Sequence, residues 1–127
     1  MQERNLFEYA VIRVVPRVER EEFLNVGVIL YCAKLKFLQC QCAVDEDRLR
    51  AIAGKIDMDE LKAHLHSFGQ ICRGSEEGGP IALLDMPSRF RWLTATRSTI
   101  VQTSKTHPGL SVDPQKTLEK LYRQLVL

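Results

Sequence analysis

The chain has 127 residues, of which 45% are apolar and 27% charged, and its formal net charge is +2. That balance fits one globular domain large enough to bury a core, and it excludes disordered, collagen-like and coiled-coil chains. No apolar run reaches the ~18 residues of a membrane span, and the start, Met1-Gln2-Glu3-Arg4-Asn5, lacks the layout of a signal peptide, so the expectation is a cytoplasmic protein without membrane association.

Residues 6–16, L-F-E-Y-A-V-I-R-V-V-P, are rich in β-branched and aromatic side chains and end at proline, which predicts a strand inside a sheet. The charged stretch R-V-E-R-E-E connects it to a second predicted strand over 23–33. There Leu24, Val26, Val28, Leu30 and Cys32 alternate onto one core face, with Asn25 and Gly27 opposite. A glycine at that position signals a bulge or a close approach by another group. A third strand over 35–44 places Leu38, Cys40, Cys42 and Val44 on the core face and turns Gln39 and Gln41 away. Short links between the three strands favour an antiparallel meander.

Asp45-Glu46-Asp47 opens a short helix that closes at Gly54. Asp57 caps a longer helix, with Glu60 at capping-box spacing and Met58, Leu61, Leu65, Phe68 and Cys72 turned inward. A glycine-rich loop follows over 74–80, and 81–86 carries no decisive pattern, being compatible with a short helix. Alternation over 90–95 and 99–103 predicts two strands around the turn Thr96-Arg97-Ser98. Asp113-Pro114 starts a last helix whose buried stripe is Leu118, Leu121, Tyr122 and Leu125. The sum is a single α+β domain over 1–127: an antiparallel sheet of about five strands with helices packed on one face. The open face is expected to carry Asn25, Gly27, Gln39, Gln41, Arg89 and Arg91.

Cys32, Cys40, Cys42 and Cys72 contain no C-x-x-C pair, which excludes a zinc ribbon and a thioredoxin-like motif. Cys40 and Cys42 share a strand face and offer two soft ligands, with Cys32 or Cys72 as a third. All four fall on predicted apolar faces, however, and read as small buried hydrophobes. No metal and no cofactor is expected.

Two longer motifs carry a resemblance. Residues 9–31, Y-A-V-I-R-V-V-P-R-V-E-R-E-E-F-L-N-V-G-V-I-L-Y, and residues 88–104, S-R-F-R-W-L-T-A-T-R-S-T-I-V-Q-T-S, resemble a bacterial family of short proteins, the domain of unknown function three-zero-three-seven. The likeness extends to the closing H-P-G-L and the D-P start of the last helix. It brings no activity with it. It implies a possible neighbour, because members are often encoded beside HipA-like kinases.

Charge gives the clearest asymmetry. From 86 to 112 the chain holds Arg89, Arg91, Arg97 and Lys105 among many hydroxyl residues and no acid. Arginine forks and hydroxyls suit bidentate contact with carboxylate or phosphate. On the predicted strand Arg89 and Arg91 share a face beside the turn with Arg97 and Ser98, and Arg13, Arg17 and Arg20 extend the patch if the first strand lies alongside. The competing account is a solvated face whose arginines pair with Glu8, Glu19, Glu21 or Glu22. The expected function is a non-catalytic accessory module binding a protein partner through this arginine-rich sheet face, with a HipA-like kinase as the partner the resemblance implies. A nucleic-acid or phosphate-ligand binder is the alternative, with Trp92 as a stacking platform. The small net charge weighs against it, and Trp92, alternating with Phe90, reads as a core residue.

A small hydrolase is the least favoured reading. Ser104 and His107 are close in sequence but lack an orienting acid. Asp45, Glu46 and Asp47 read as favourable charge at a helix start rather than as metal ligands. His64 and His66, two apart on a helix, do not face each other. No catalytic residue is assigned.

Overall fold

The computed structural model describes residues 3–17, 20–97 and 99–127. Its sheet is antiparallel and centres on β1 (Asn5–Val14). On one side β1 pairs with β2 (Leu24–Cys32), which pairs in turn with β3 (Phe37–Cys42). On the other side two short strands share its length. β4 (Val101–Thr103) pairs with Ile12 to Val14, and β5 (His107–Ser111) pairs with Asn5 to Tyr9. The first three strands form the predicted meander: β1 and β2 carry β-branched runs, and β3 alternates Leu38 and Cys40 with Gln39 and Gln41.

A bulge divides β2. Ile12 faces Gly27 and Arg13 faces Asn25, so Val26 has no partner on β1. The extra residue turns the chain over. Val28, Leu30 and Cys32 point to one side of the sheet, whereas Val26 and Leu24 pack with Ile29 on the other. The even positions of this strand therefore do not make the single core face expected from alternation. Gly27 serves both purposes the sequence signalled. A Cβ there would lie 2.6 Å from the Gln41 carbonyl oxygen and 2.7 Å from Cys42 Sγ, so only glycine lets β3 come this close.

Four helices complete the α+β fold: α1 (Glu46–Ala53), α2 (Met58–Arg73), α3 (Met86–Leu93) and α4 (Pro114–Leu125). Each begins at an aspartate, Asp45, Asp57, Asp85 or Asp113, whose side chain accepts a hydrogen bond from the backbone N–H three residues on. The helices divide between the faces, which corrects the expectation that all pack on one side. Leu49 of α1, Leu61, Phe68, Ile71 and Cys72 of α2, and Phe90 and Leu93 of α3 cover Ala10, Ile12, Val14 and Ile29. Leu118 and Tyr122 of α4, with Val126, cover Phe7, Val28, Leu30 and Cys32 on the opposite face. Of the residues expected on an open face, Gln39 and Gln41 stand on the α4 face beside Leu30 and Val28, whereas Gly27 pairs with Cys42 on the opposite, α2-covered face.

Two local expectations fail. The 90–95 strand is absent: Arg89, Arg91 and Trp92 belong to α3, started by Asp85 and by Pro87 in the first turn. The segment His107–Ser111, to which the sequence assigned no strand, is β5. Proline is tolerated there because β5 has β1 on one side only and needs no donor outward. Gly109 faces Phe7, and a Cβ at that position would meet the phenyl ring at 2.4 Å.

Candidate functional site

The predicted arginine patch does not exist as one surface. Arg89 and Arg91 lie two apart on α3, about 200° apart around the helix axis. Arg89 turns inward. Its Nη1 donates to the Leu84 carbonyl at 2.8 Å, and its guanidinium lies against Gly74, the left-handed cap of α2. Arg91 is exposed and borders a depression of about 410 Å³ with Glu8, Tyr31 and Thr106. Arg13 is on β1, half-buried, with Cζ 4.1 Å from the centre of the Phe23 ring. Arg17 lines a different depression with Arg20, Glu22 and Ile52. Ser98, and Glu19 among the predicted pairing acids, lie outside the described residues. Arg20 pairs with Glu22 at 2.6 Å.

Arg97 has the setting of a site. It follows the last turn of α3, and its Cζ lies 3.6 Å from the centre of the Trp92 ring. Its guanidinium also donates to the Trp92 carbonyl, and partial burial lowers its pKa. Trp92 is 37% exposed, so it stands on the surface rather than in the core as expected. The aromatic face attracts the cation and holds the long side chain in place.

This stack walls a groove of about 250 Å³ between α2 and β4. Phe68, Ile71, Leu93 and Val101 give it an apolar floor, and Ser67, Thr99, Gln102 and Thr103 add polar groups. Among the described residues, no aspartate or glutamate lines it. Thr103 Oγ1 is buried there without a hydrogen-bond partner. His64 stands at the α2 side and reaches Glu60 at 3.8 Å. The α2 wall was not singled out from the sequence as a site, since its residues carry only the amphipathic signal of a packed helix.

A guanidinium held on an aromatic ring, with hydroxyl and amide groups around an apolar floor, accepts an apolar group that carries an anion. The hydrolase elements are committed elsewhere. Ser104 Oγ accepts from the Val11 N–H at 2.8 Å, and His107 stacks on Tyr9 with ring centroids 5.2 Å apart. Asp45 caps α1, and Glu46 pairs with Lys62 at 2.8 Å. Among the described residues no group of three His, Cys, Asp or Glu side chains has the arrangement to hold a metal ion, and no helix is long and apolar enough to cross a membrane.

The family described as Protein of unknown function (DUF3037) matches residues 9–126. The chain belongs to that family. The match spans the whole sheet from Tyr9 onward and all four helices, so in this DUF3037 chain the groove and both arginine-bearing segments fall within the shared region. No curated protein and no solved structure matches the chain.

Proposed function

We propose that this chain is a non-catalytic interaction module that takes an acidic segment of a protein partner, with an apolar side chain as anchor, in the groove between α2 and β4. The observation that carries the reading is the Arg97–Trp92 stack over an apolar floor whose lining holds no acid. Arg97 then meets the partner's carboxylate, and Phe68, Ile71 and Val101 receive the anchor. A groove of about 250 Å³ is smaller than the ~300–1,000 Å³ of sites that enclose drug-sized ligands, which favours one or two side chains of a docked segment over a whole cofactor. The spread of Arg13, Arg17, Arg89 and Arg91 over separate surfaces offers no continuous track for a phosphate backbone, so a protein partner is preferred to nucleic acid. The kinase-like neighbour implied by the resemblance is the first partner to test.

The experiment is a titration with short peptides carrying an aromatic residue flanked by aspartates, read by the fluorescence of the single tryptophan. Saturable binding is expected, weakened by Arg97→Ala by about 2 kcal/mol, or roughly thirtyfold. A response to single-stranded oligonucleotides with none to the peptides transfers the groove to the nucleic-acid alternative.

A further inference from the structure

β3 ends the sheet and pairs with β2 on one side only. Just past the strand the Ala43 N–H donates to the Val26 carbonyl at 2.8 Å. Backbone groups alternate in direction along a strand, so those of Phe37, Gln39 and Gln41 also face β2, and those of Leu38, Cys40 and Cys42 face outward. Among the described residues no further strand takes up the outward donors and acceptors. Soluble proteins guard such an edge with a short strand, proline, charge or a bulge. The opposite edge has those guards: β4 is three residues long and β5 carries Pro108. β3, F-L-Q-C-Q-C, holds neither proline nor a charged side chain, and its ladder with β2 is regular from Phe37 to Cys42.

The flanks of this strand carry opposite charge. Lys34 and Lys36 lie in the exposed turn before it, and Asp45 and Asp47 are exposed just after it. Neighbouring charges leave that asymmetry in place. Lys34 reaches Glu3, Glu46 reaches Lys62, and Arg48 turns to the Val126 carbonyl at 3.4 Å. Among the described residues Lys36 and Asp47 make no ion pair within the chain. A strand that is basic before its start and acidic after its end is complementary to an antiparallel copy of itself, whereas a parallel copy would set like charges together.

We propose that β3 pairs antiparallel with β3 of a second copy of this chain, about a two-fold axis at Cys40, joining the two five-stranded sheets into one. The phase of the outward groups fixes the register. Leu38 meets Cys42 of the second copy, Cys40 meets its own counterpart, and each such pair exchanges backbone hydrogen bonds in both directions. This in-phase register engages all three outward residues, and a shift either way leaves one without a partner on the strand. On the α4 face it sets Gln39 opposite Gln41 of the second copy. It brings Lys34 and Lys36 toward Asp45 and Asp47 of the second copy, and the same contact repeats across the axis, so the pairing closes as a dimer. β4 is at the other end of the sheet, so the α2–β4 groove of each copy stays open.

The test is analytical ultracentrifugation of the full chain, kept reduced, from micromolar concentration to about 0.5 mM, the range in which weak two-fold contacts are populated. A reversible monomer–dimer equilibrium is expected, weakened by raised salt as the flanking charges are screened. Two double variants read the register. Gln39→Lys with Gln41→Lys sets like charges opposite each other on both sides of the axis, and is expected to raise the dimer Kd at least about tenfold. Gln39→Lys with Gln41→Glu sets unlike charges there, and is expected to keep the dimer at least as tight as the parent. Gln39 is exposed and Gln41 half-buried, and circular dichroism checks that both variants keep the fold. The equilibrium of the parent and its salt dependence need no substitution, so a folding defect in a variant does not shelter the proposal. A parent chain that stays monomeric at the top concentration, a dimer that neither variant changes, or equal weakening by both would overturn it.

Discussion

The Arg97 guanidinium sits 3.6 Å from the centre of the Trp92 ring and closes one wall of the α2–β4 groove. Because the chain has a single tryptophan, its emission reports this contact alone. Arg97→Ala is expected to open the indole to water and move the emission to longer wavelength. An exposed cation–π contact contributes about 0.5–1 kcal/mol, so the melting temperature is expected to stay within about 4 °C of the parent. An unchanged spectrum means the stack is not populated in solution, and the groove then loses its cationic wall.

Arg89 and Arg91 separate a structural arginine from a solvated one. Arg89 donates to the Leu84 carbonyl and lies against Gly74, while its Nε is buried without a partner. Arg89→Ala removes the donor that fixes Leu84 to α3 and empties the space beside the α2 cap, with an expected loss of about 1–3 kcal/mol. Arg91 is exposed on the other side of the helix, and Arg91→Ala is expected to stay within about 0.5 kcal/mol. Urea unfolding of the two variants checks the ranking. Equal stabilities would contradict the inward placement of Arg89. A triple change of Arg89, Arg91 and Arg97 mixes these effects, so a binding test needs Arg97 alone.

Much of this fold was legible because periodicity and caps agree. β1 and β2 follow from β-branched runs, β3 from the alternation of Leu38, Cys40 and Cys42 with Gln39 and Gln41, and Asp57 and Asp113 mark helix starts at which the predicted backbone bonds form. The failures have physical causes. In α3 the alternation of Arg89, Phe90, Arg91 and Trp92 imitates a strand, and it outweighed the Asp85 cap with Pro87, the same class of signal that was read correctly at Asp113-Pro114. That one error produced the arginine face, since residues two apart share a side of a strand and oppose each other on a helix. The bulge at Val26 was foreshadowed by Gly27, but its consequence, the switch of core face along β2, depends on pairing with β1. The groove joins α2 to β4 across some 30 residues of chain, and no local pattern announces such a juxtaposition. Among the described residues, Arg97 of the predicted patch lines this groove, beside Trp92, which the sequence offered as a stacking platform only for the nucleic-acid alternative.

Glu46 supplies a pH test. Its carboxylate accepts from Lys62 Nζ at 2.8 Å, with Arg50 at 3.8 Å, and the Lys62 hydrogen bond and charge hold its pKa below the ordinary glutamate value. A depressed folded value means that the contribution is present above the unfolded pKa and is lost as pH falls through the folded one. The stability difference between the parent and Glu46→Gln is therefore expected to be largest near neutral pH and to shrink as pH falls below the ordinary glutamate range. Chemical denaturation at several pH values measures it, and raised salt should shrink it because the pair is exposed. A difference that grows on acidification contradicts the assigned contact.

Ser104 decides between a structural and a chemical serine. β4 ends at Thr103 and β5 begins at His107, so neither strand pairs with Val11 of β1 through the regular ladder. Ser104 fills the gap from both directions. Its backbone N–H donates to the Val11 carbonyl at 2.8 Å, and its hydroxyl oxygen accepts from the Val11 N–H at 2.8 Å while donating to the Lys105 carbonyl at 2.9 Å. The residue is 7% exposed, so water does not readily take the place of its hydroxyl. Ser104→Ala leaves the Val11 N–H buried and unpaired, which costs about 1–3 kcal/mol. Amide hydrogen exchange should locate the loss: Val11 is expected to lose protection, while Val28, paired with it from β2 through an untouched ladder, should follow only the global decline. A nucleophilic serine makes the opposite forecast, since its hydroxyl must be free to react and its removal leaves stability intact. Ser104→Ala with parent-like melting and an unaltered Val11 amide would return Ser104 and the neighbouring His107 to consideration as a reactive pair.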